Sequence, residues 1–288
     1  MKSLKRRQIH DRIMVGVLCI STIAVLLPLI IIMFHVIVEG VSALNYEFFT
    51  EELGSPSRAI QGKPTGLIHT IFGTIVIDVL ALIIAVPIGL GAGMMLSEYP
   101  EHTLTPTLRI INDTLNGMPA ILKGLFAFVL IVKPMGTFSG LAGSVALSFV
   151  MLPILARTTE SALQSVPWTI REAGLALGIP RWRVVLSTVM PAAKNGLITG
   201  ILLAFARAAG EAAPLLFTSF GNNYLPNSWL GFIFEPTDTL PQRLYSLAIS
   251  PYDKWHEMGW AAAIILFVLV IFAFLFTRFL TRDKMQYE

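Results

Sequence analysis

Residues 13–38 read IMVGVLCISTIAVLLPLIIIMFHVIV, a run of twenty-six positions without one Lys, Arg, Asp or Glu. A membrane-spanning helix needs about 20 apolar residues, whereas the apolar region of a cleaved leader has roughly 7–15. The run is longer than such a leader and has no clear small-x-small exit, so it is read as a retained span. Further apolar stretches at about 66–96, 115–132, 138–156, 196–217 and 259–280 bring the expected spans to six. Composition agrees: 14% of the chain is charged, against about 25% in soluble domains, and the mean hydropathy is +0.71. The fold class expected is an all-α integral membrane protein with six transmembrane helices.

The spans divide the chain. A basic tail covers 1–12, the first transmembrane helix 13–38, and a polar loop broken by Gly and Pro 39–65. A core of five further helices covers 66–280, interrupted by a charged loop at about 157–194, and a tail follows at 281–288. Six spans put both termini on one side. Of the 21 Lys and Arg residues, fourteen fall on that side and five on the other, with Lys123 and Arg207 left within spans. The bias predicts cytoplasmic termini and makes 39–65 an extracytoplasmic loop. It also accounts for the net charge of +3 and pI near 9.1 without nucleic acid, and the lipid bilayer is the expected surrounding. Cys19 is the one cysteine, so neither an intrachain disulfide nor a thiolate cluster can form. The five histidines have no ligand spacing, so no metal is expected. The GLGAG cluster at Gly89–Gly93 is not followed by a phosphate-loop signature and reads as close helix packing. GxxxG spacing also occurs at Gly136/Gly140 and Gly196/Gly200.

Charges within spans carry the functional reading. Arg207 stands twelfth in the 196–217 stretch, and Glu211 follows four residues later, on the same face of a continuous helix. Two readings stand: the pair lines a hydrated path, or it is a self-neutralised strut. A guanidinium offers paired donors and keeps its charge when partly desolvated, so an anion is the natural cargo of a path. Arg157, at the expected end of the fourth span, is either a positive stop or an anion contact near the exit. Lys123 could add a third positive group or could snorkel to an interface. Pro214 is expected to kink the fifth helix just beyond Glu211.

The stretch 171–191, REAGLALGIPRWRVVLSTVMP, interrupts the apolar second half. Pro167 suits a first helical turn, and Gly178 with Pro180 a stop, giving a helix of about 167–177. Ile170, Ala173, Gly174 and Leu177 share one face by helical spacing, with Arg171 and Glu172 opening the other. Docking on a second protein and lying on lipid both fit this pattern.

The EAG at 172–174, Gly178 and Pro191 resemble the EAA loop of ABC-importer permeases, with Gly174 in place of the third Ala and Thr188 and Met190 in place of an Ile and a Leu. ARAAGEAAPLLFT (206–218) and LARTTESALQSVP (155–167) are similar to the permease subunits of bacterial phosphate-specific ABC importers. The resemblance covers about residues 66–280. It implies a type I ABC importer permease fold and half of a translocation pathway for inorganic phosphate, with a homologous second permease subunit as the other half. It further implies a cytoplasmic ABC ATPase dimer, an extracytoplasmic phosphate-binding protein, and a coupling helix in which Glu172, Ala173 and Gly178 meet the ATPase. The chain carries no Walker motif and is not expected to be an enzyme or to bind a cofactor. ATP and Mg would be held by the ATPase subunits. A permease for phosphonate, sulfate or molybdate is the nearest alternative, and a non-transporting membrane anchor or sensor a more distant one.

Overall fold

The computed structural model describes residues 2–281 apart from 62 and 64. The tail 282–288, with Arg282 and Lys284, lies outside the described residues. The principal helices are α1 (Lys2–Gly40), α2 (Ile68–Glu98), α3 (Thr105–Gly117), α4 (Ala120–Ala127), α5 (Gly140–Gln164), α6 (Trp168–Ala176), α7 (Arg181–Val184), α8 (Lys194–Ala209), α9 (Leu240–Ala248) and α10 (Asp253–Thr281). Four helices are long and apolar enough to cross a membrane, and two bent pairs raise the number to six if each pair is one span.

The bundle is built on α2, α5 and α8. Ala81, Ala85, Gly89 and Gly93 recur every fourth residue on α2, so they form one smooth stripe. A Cβ on Gly89 would come within 2.5 Å of Leu155 Cβ, and one on Gly93 would overlap Thr159. These contacts keep a constant offset, so α2 and α5 run parallel. On α8, Gly196 faces Ala162 and Gly200 faces Thr158, so α8 runs antiparallel to α5. Small residues let backbones approach closely where lipid supplies no hydrophobic drive. Ile77, Ala81, Ala85, Leu147, Met151, Leu155, Ala204, Ala208 and Leu215 then fill the shared core. The Gly136/Gly140 pair works differently: Gly136 is a left-handed helix cap with nothing near its Cβ position, and Gly140 packs on the carbonyl of Phe232.

At the end of the bundle where α2 and α5 begin, Phe48, Leu53, Leu67, Leu240, Leu247 and Met258 form a second core that ties the 39–65 segment to α9 and α10. At the opposite end, Leu163, Val166, Val184, Val189 and Leu197 pack the 157–194 loop. The first helix stands apart. Gly40 meets the backbone of Trp260, and the His35 and Trp260 rings lie 5.0 Å apart edge to face, yet the apolar length of α1, Cys19 included, is exposed.

Two expected spans are broken. The expected third span, 115–132, straddles a bend of 113° at Met118–Pro119, and the helix resumes at Ala120. Pro119 disfavours helical geometry in the residue before it, which explains the corner. The expected fifth helix does not reach Phe217. It ends at Ala209, is followed by irregular chain, and resumes only as a short 3₁₀ turn at Leu215–Phe217. Pro214 would place its ring against the carbonyl of Gly210 and has no N–H to offer it, so the helix terminates where a kink was expected.

Candidate functional site

Arg207 therefore sits in the last turn of α8 rather than at the centre of a helix, and Glu211 lies beyond the helix end. The pair still meets, with Nη1 and Oε1 2.5 Å apart, because Glu211 N–H donates to the Ala208 carbonyl and so continues the winding for one tighter turn past the helix end. Glu211 Oε1 is buried and has no aligned hydrogen bond, so the contact is one of charge rather than of directed donation. Arg207 is 60% exposed on this chain and Glu211 12%; the guanidinium faces outward while its partner is recessed. A cation in a last helical turn also meets the negative end of the helix dipole.

The break in α8 brings in a third charge. Gly124 of α4 packs against Pro214: a Cβ there would come within 2.5 Å of Pro214 Cα and 2.7 Å of its carbonyl oxygen. This close approach holds the neighbouring Lys123 within electrostatic reach of both Arg207 and Glu211. Lys123 is only 6% exposed and makes no ion pair among the described residues. Two cations and one carboxylate thus converge where α8 stops and α4 has just begun, and their formal charges sum to a surplus of one positive unit. Broken helices that turn polar groups inward are tolerated at membrane depth where they line a cavity or lie within protein.

Arg157 stands elsewhere. It donates to Asp113 Oδ1 at 2.7 Å and to Glu160 Oε2 at 3.1 Å, while Arg109 donates to Glu160 Oε1 at 3.0 Å. Since Gly200 faces Thr158, Arg157 lies about 10 Å along the bundle from Arg207. Its guanidinium is committed to a network joining α3 and α5 and is not brought to the Lys123–Arg207–Glu211 cluster. Asp78 is a charge that the sequence reading passed over, although the signal, an acid within an apolar run, was the same as for Arg207. It is buried on α2, and its Oδ2 has no partner.

The loop helix α6 forms within one residue of each expected bound, entered from Pro167 and closed by Gly178 at φ +73°. Glu172, Ala173 and Gly178 are all exposed. The expected faces are not those observed. Arg171 is the buried residue of this helix, whereas Ala173 and Leu177 point outward, Leu177 with 79% exposure. Arg171 turns inward because Glu98 awaits it there: Nε lies 3.0 Å from Oε2, and Nη2 lies 2.5 Å from Oε1. Gly174, the departure from the three-residue EAA pattern, has a steric reason. A Cβ at 174 would approach Val184 Cγ2 of α7 to 2.8 Å.

Residues 85–286 match the family described as binding-protein-dependent transport system inner membrane component. The chain belongs to this family. As a member it is a multi-pass inner membrane protein. Its relatives include a protein named phosphate transport system permease protein PstA from Haemophilus influenzae, 38% identical over 96% of each chain. A PstA from Xylella fastidiosa is 38% identical over 97% of this chain and 96% of its own. A probable PstA from Methanocaldococcus jannaschii is 32% identical with the same coverage of each. Among solved structures, the inner membrane component is similar to a chain of the inward-facing MetNI methionine ABC transporter, with TM-score 0.58, 20% identity, and coverage of 75% of this chain and 93% of that one. A bacterial ABC transporter involved in import of the polysaccharide alginate gives TM-score 0.58 at 15% identity, covering 92% and 96%. The fold is accordingly that of type I ABC importer permeases.

Proposed function

We propose that this chain is a permease subunit of an ATP-driven importer of inorganic phosphate, forming half of the translocation pathway. The observation that carries the cargo's sign is the Lys123–Arg207–Glu211 cluster, a net positive locus at a helix break with its guanidinium turned outward. Phosphate itself rests on relatives that match nearly the whole chain and are named for it. Arg207 and Lys123 greet the anion, and Glu211 takes back the guanidinium when the anion leaves, so binding stays brief enough for release. Arg157 serves the pathway indirectly, by holding α3 against α5.

The outward face of Arg207 meets a second, homologous permease. Both termini and α6 lie on the cytoplasmic side, as the distribution of Lys and Arg indicates. There Glu172 and Ala173 dock on an ABC ATPase dimer, with Gly178 closing the helix that presents them. ATP and Mg are bound by those subunits, and this chain is not itself an enzyme. The opposite end, including the segment 219–258, receives an extracytoplasmic phosphate-binding protein. The decisive experiment is competition uptake with the assembled importer. Phosphate is expected to displace labelled phosphate at far lower concentration than sulfate, molybdate or a phosphonate does, and preference for any of those three would overturn the cargo assignment.

A further inference from the structure

Helix α6 buries one charged side chain, Arg171, against the end of α2. Arg171 is 5% exposed and Glu98, the last residue of α2, 1%. The guanidinium Nε reaches both carboxylate oxygens, at 3.2 and 3.0 Å, and Nη2 reaches Oε1 at 2.5 Å. It also donates to the carbonyls of Val166 at 2.9 Å and Leu163 at 2.8 Å, near the end of α5, where helix carbonyls lack internal partners. The same guanidinium lies 5.4 Å from the centre of the Trp168 ring. Arg181 of α7 lies 5.9 Å from that ring and 5.2 Å from the ring of Tyr99, the residue after Glu98. Two straps thus join the 168–181 segment to the end of α2. The rest of α6 touches its own loop: Ile170 packs on the core of 157–194 and Gly174 lies against Val184, while Glu172, Ala173, Leu175, Ala176 and the following Leu177 are exposed.

Apolar side chains could hold such a helix without the desolvation that a buried ion pair entails. They would not fix its rotation and height as a planar fork on a carboxylate does. From Glu98, α2 continues for 31 residues, about 46 Å, to the far end of the bundle, where Gly73 lies beneath the carbonyl of Asp238.

The geometry points to Glu98 and Arg171 as a positioning pair that makes α6 and α2 move as one body, so that a push on α6 arrives at the opposite mouth of the bundle. The inference rests on the reading that α6 receives an ATPase. The test uses the complete importer in proteoliposomes with its binding protein, comparing Glu98→Gln and Arg171→Lys with wild type. Gln keeps the shape and removes the charge; Lys keeps the charge and removes the fork. Both variants are expected to retain their ATPase subunits on purification and to hydrolyse ATP. The ATP consumed per phosphate imported should rise at least about fivefold, the lower end of typical coupling between sites. An unchanged ratio would overturn the inference, whether uptake stays normal or falls in step with hydrolysis. Loss of the ATPases from both purified variants would also overturn it, because the pair would then be maintaining the docking surface alone. Failure of the underlying transport reading looks different: the wild-type assembly would itself import no phosphate.

Discussion

Arg207 and Glu211 announce themselves in the sequence because full charges are rare in apolar runs and are seldom without a role. Their neighbour Lys123 is set by Gly124 on Pro214, a contact across ninety residues that no local pattern encodes. If the two cations share an anion, Arg207→Gln or Lys123→Gln should each lower phosphate uptake on the order of 10- to 100-fold, the range that 1.5–3 kcal/mol of charge-assisted hydrogen bonding provides. The amount of purified complex should stay unchanged. Normal uptake by Arg207→Gln would leave that residue as a strut. Asp78 gives the opposite expectation. A buried carboxyl oxygen without a partner destabilises its surroundings by about 1–3 kcal/mol, so Asp78→Val should raise the unfolding midpoint in detergent, and a lowered midpoint would mean that the carboxyl serves a contact. Arg171 was illegible for a related reason. Helical spacing assigned it outward, and only Glu98, seventy-three residues earlier, draws it in.

At the level of helices, the punctuation of the chain was readable where its cause is local. Pro167, Gly178 and Pro180 bracket α6 because each acts on its own backbone. Pro214 was read correctly as a disturbance, but whether it kinks or ends a helix depends on what replaces the lost hydrogen bonds, and here irregular chain and a short 3₁₀ turn follow instead of more helix. The long apolar runs told where helices lie but not that one is cornered and another ends early, since hydropathy has no direction. The α2 stripe gives a clean comparison. Gly93 lies against Thr159, whereas a Cβ on Gly91 would meet nothing within 4 Å. Gly93→Leu should destabilise the protein by about 1–3 kcal/mol or more through overpacking, while Gly91→Leu should leave the detergent unfolding midpoint nearly unchanged. Equal effects would show that α2 and α5 are not seated on this stripe.

Across the whole molecule, α6 and the 219–258 segment stand at opposite ends of the bundle, and under the proposed function each receives a different partner. The exposed face of α6 carries Glu172, Ala173, Leu175 and Leu177, a surface suited to protein as well as to lipid. Glu172→Lys separates the two: release of the ATPase subunits on purification is expected, while unchanged copurification and ATP-driven uptake would favour a lipid-facing helix. The fold class and the helix of this loop were visible beforehand, because they follow from hydropathy and backbone chemistry, whereas the breaks in two of the six expected spans were not. Whether Lys123 joins Arg207 and Glu211 was left open in the sequence, because it depends on the packing of α4 on Pro214.

The exposed α1 has a practical corollary. Nature has left this polypeptide a single sulfhydryl, Cys19, on the helix farthest removed from its core. A paramagnetic tag attached there has a fixed origin, and one engineered thiol at a chosen second position completes a molecular ruler without any native cysteine to delete. Separations measured with and without nucleotide would then trace how far each part of the protein travels in one transport cycle.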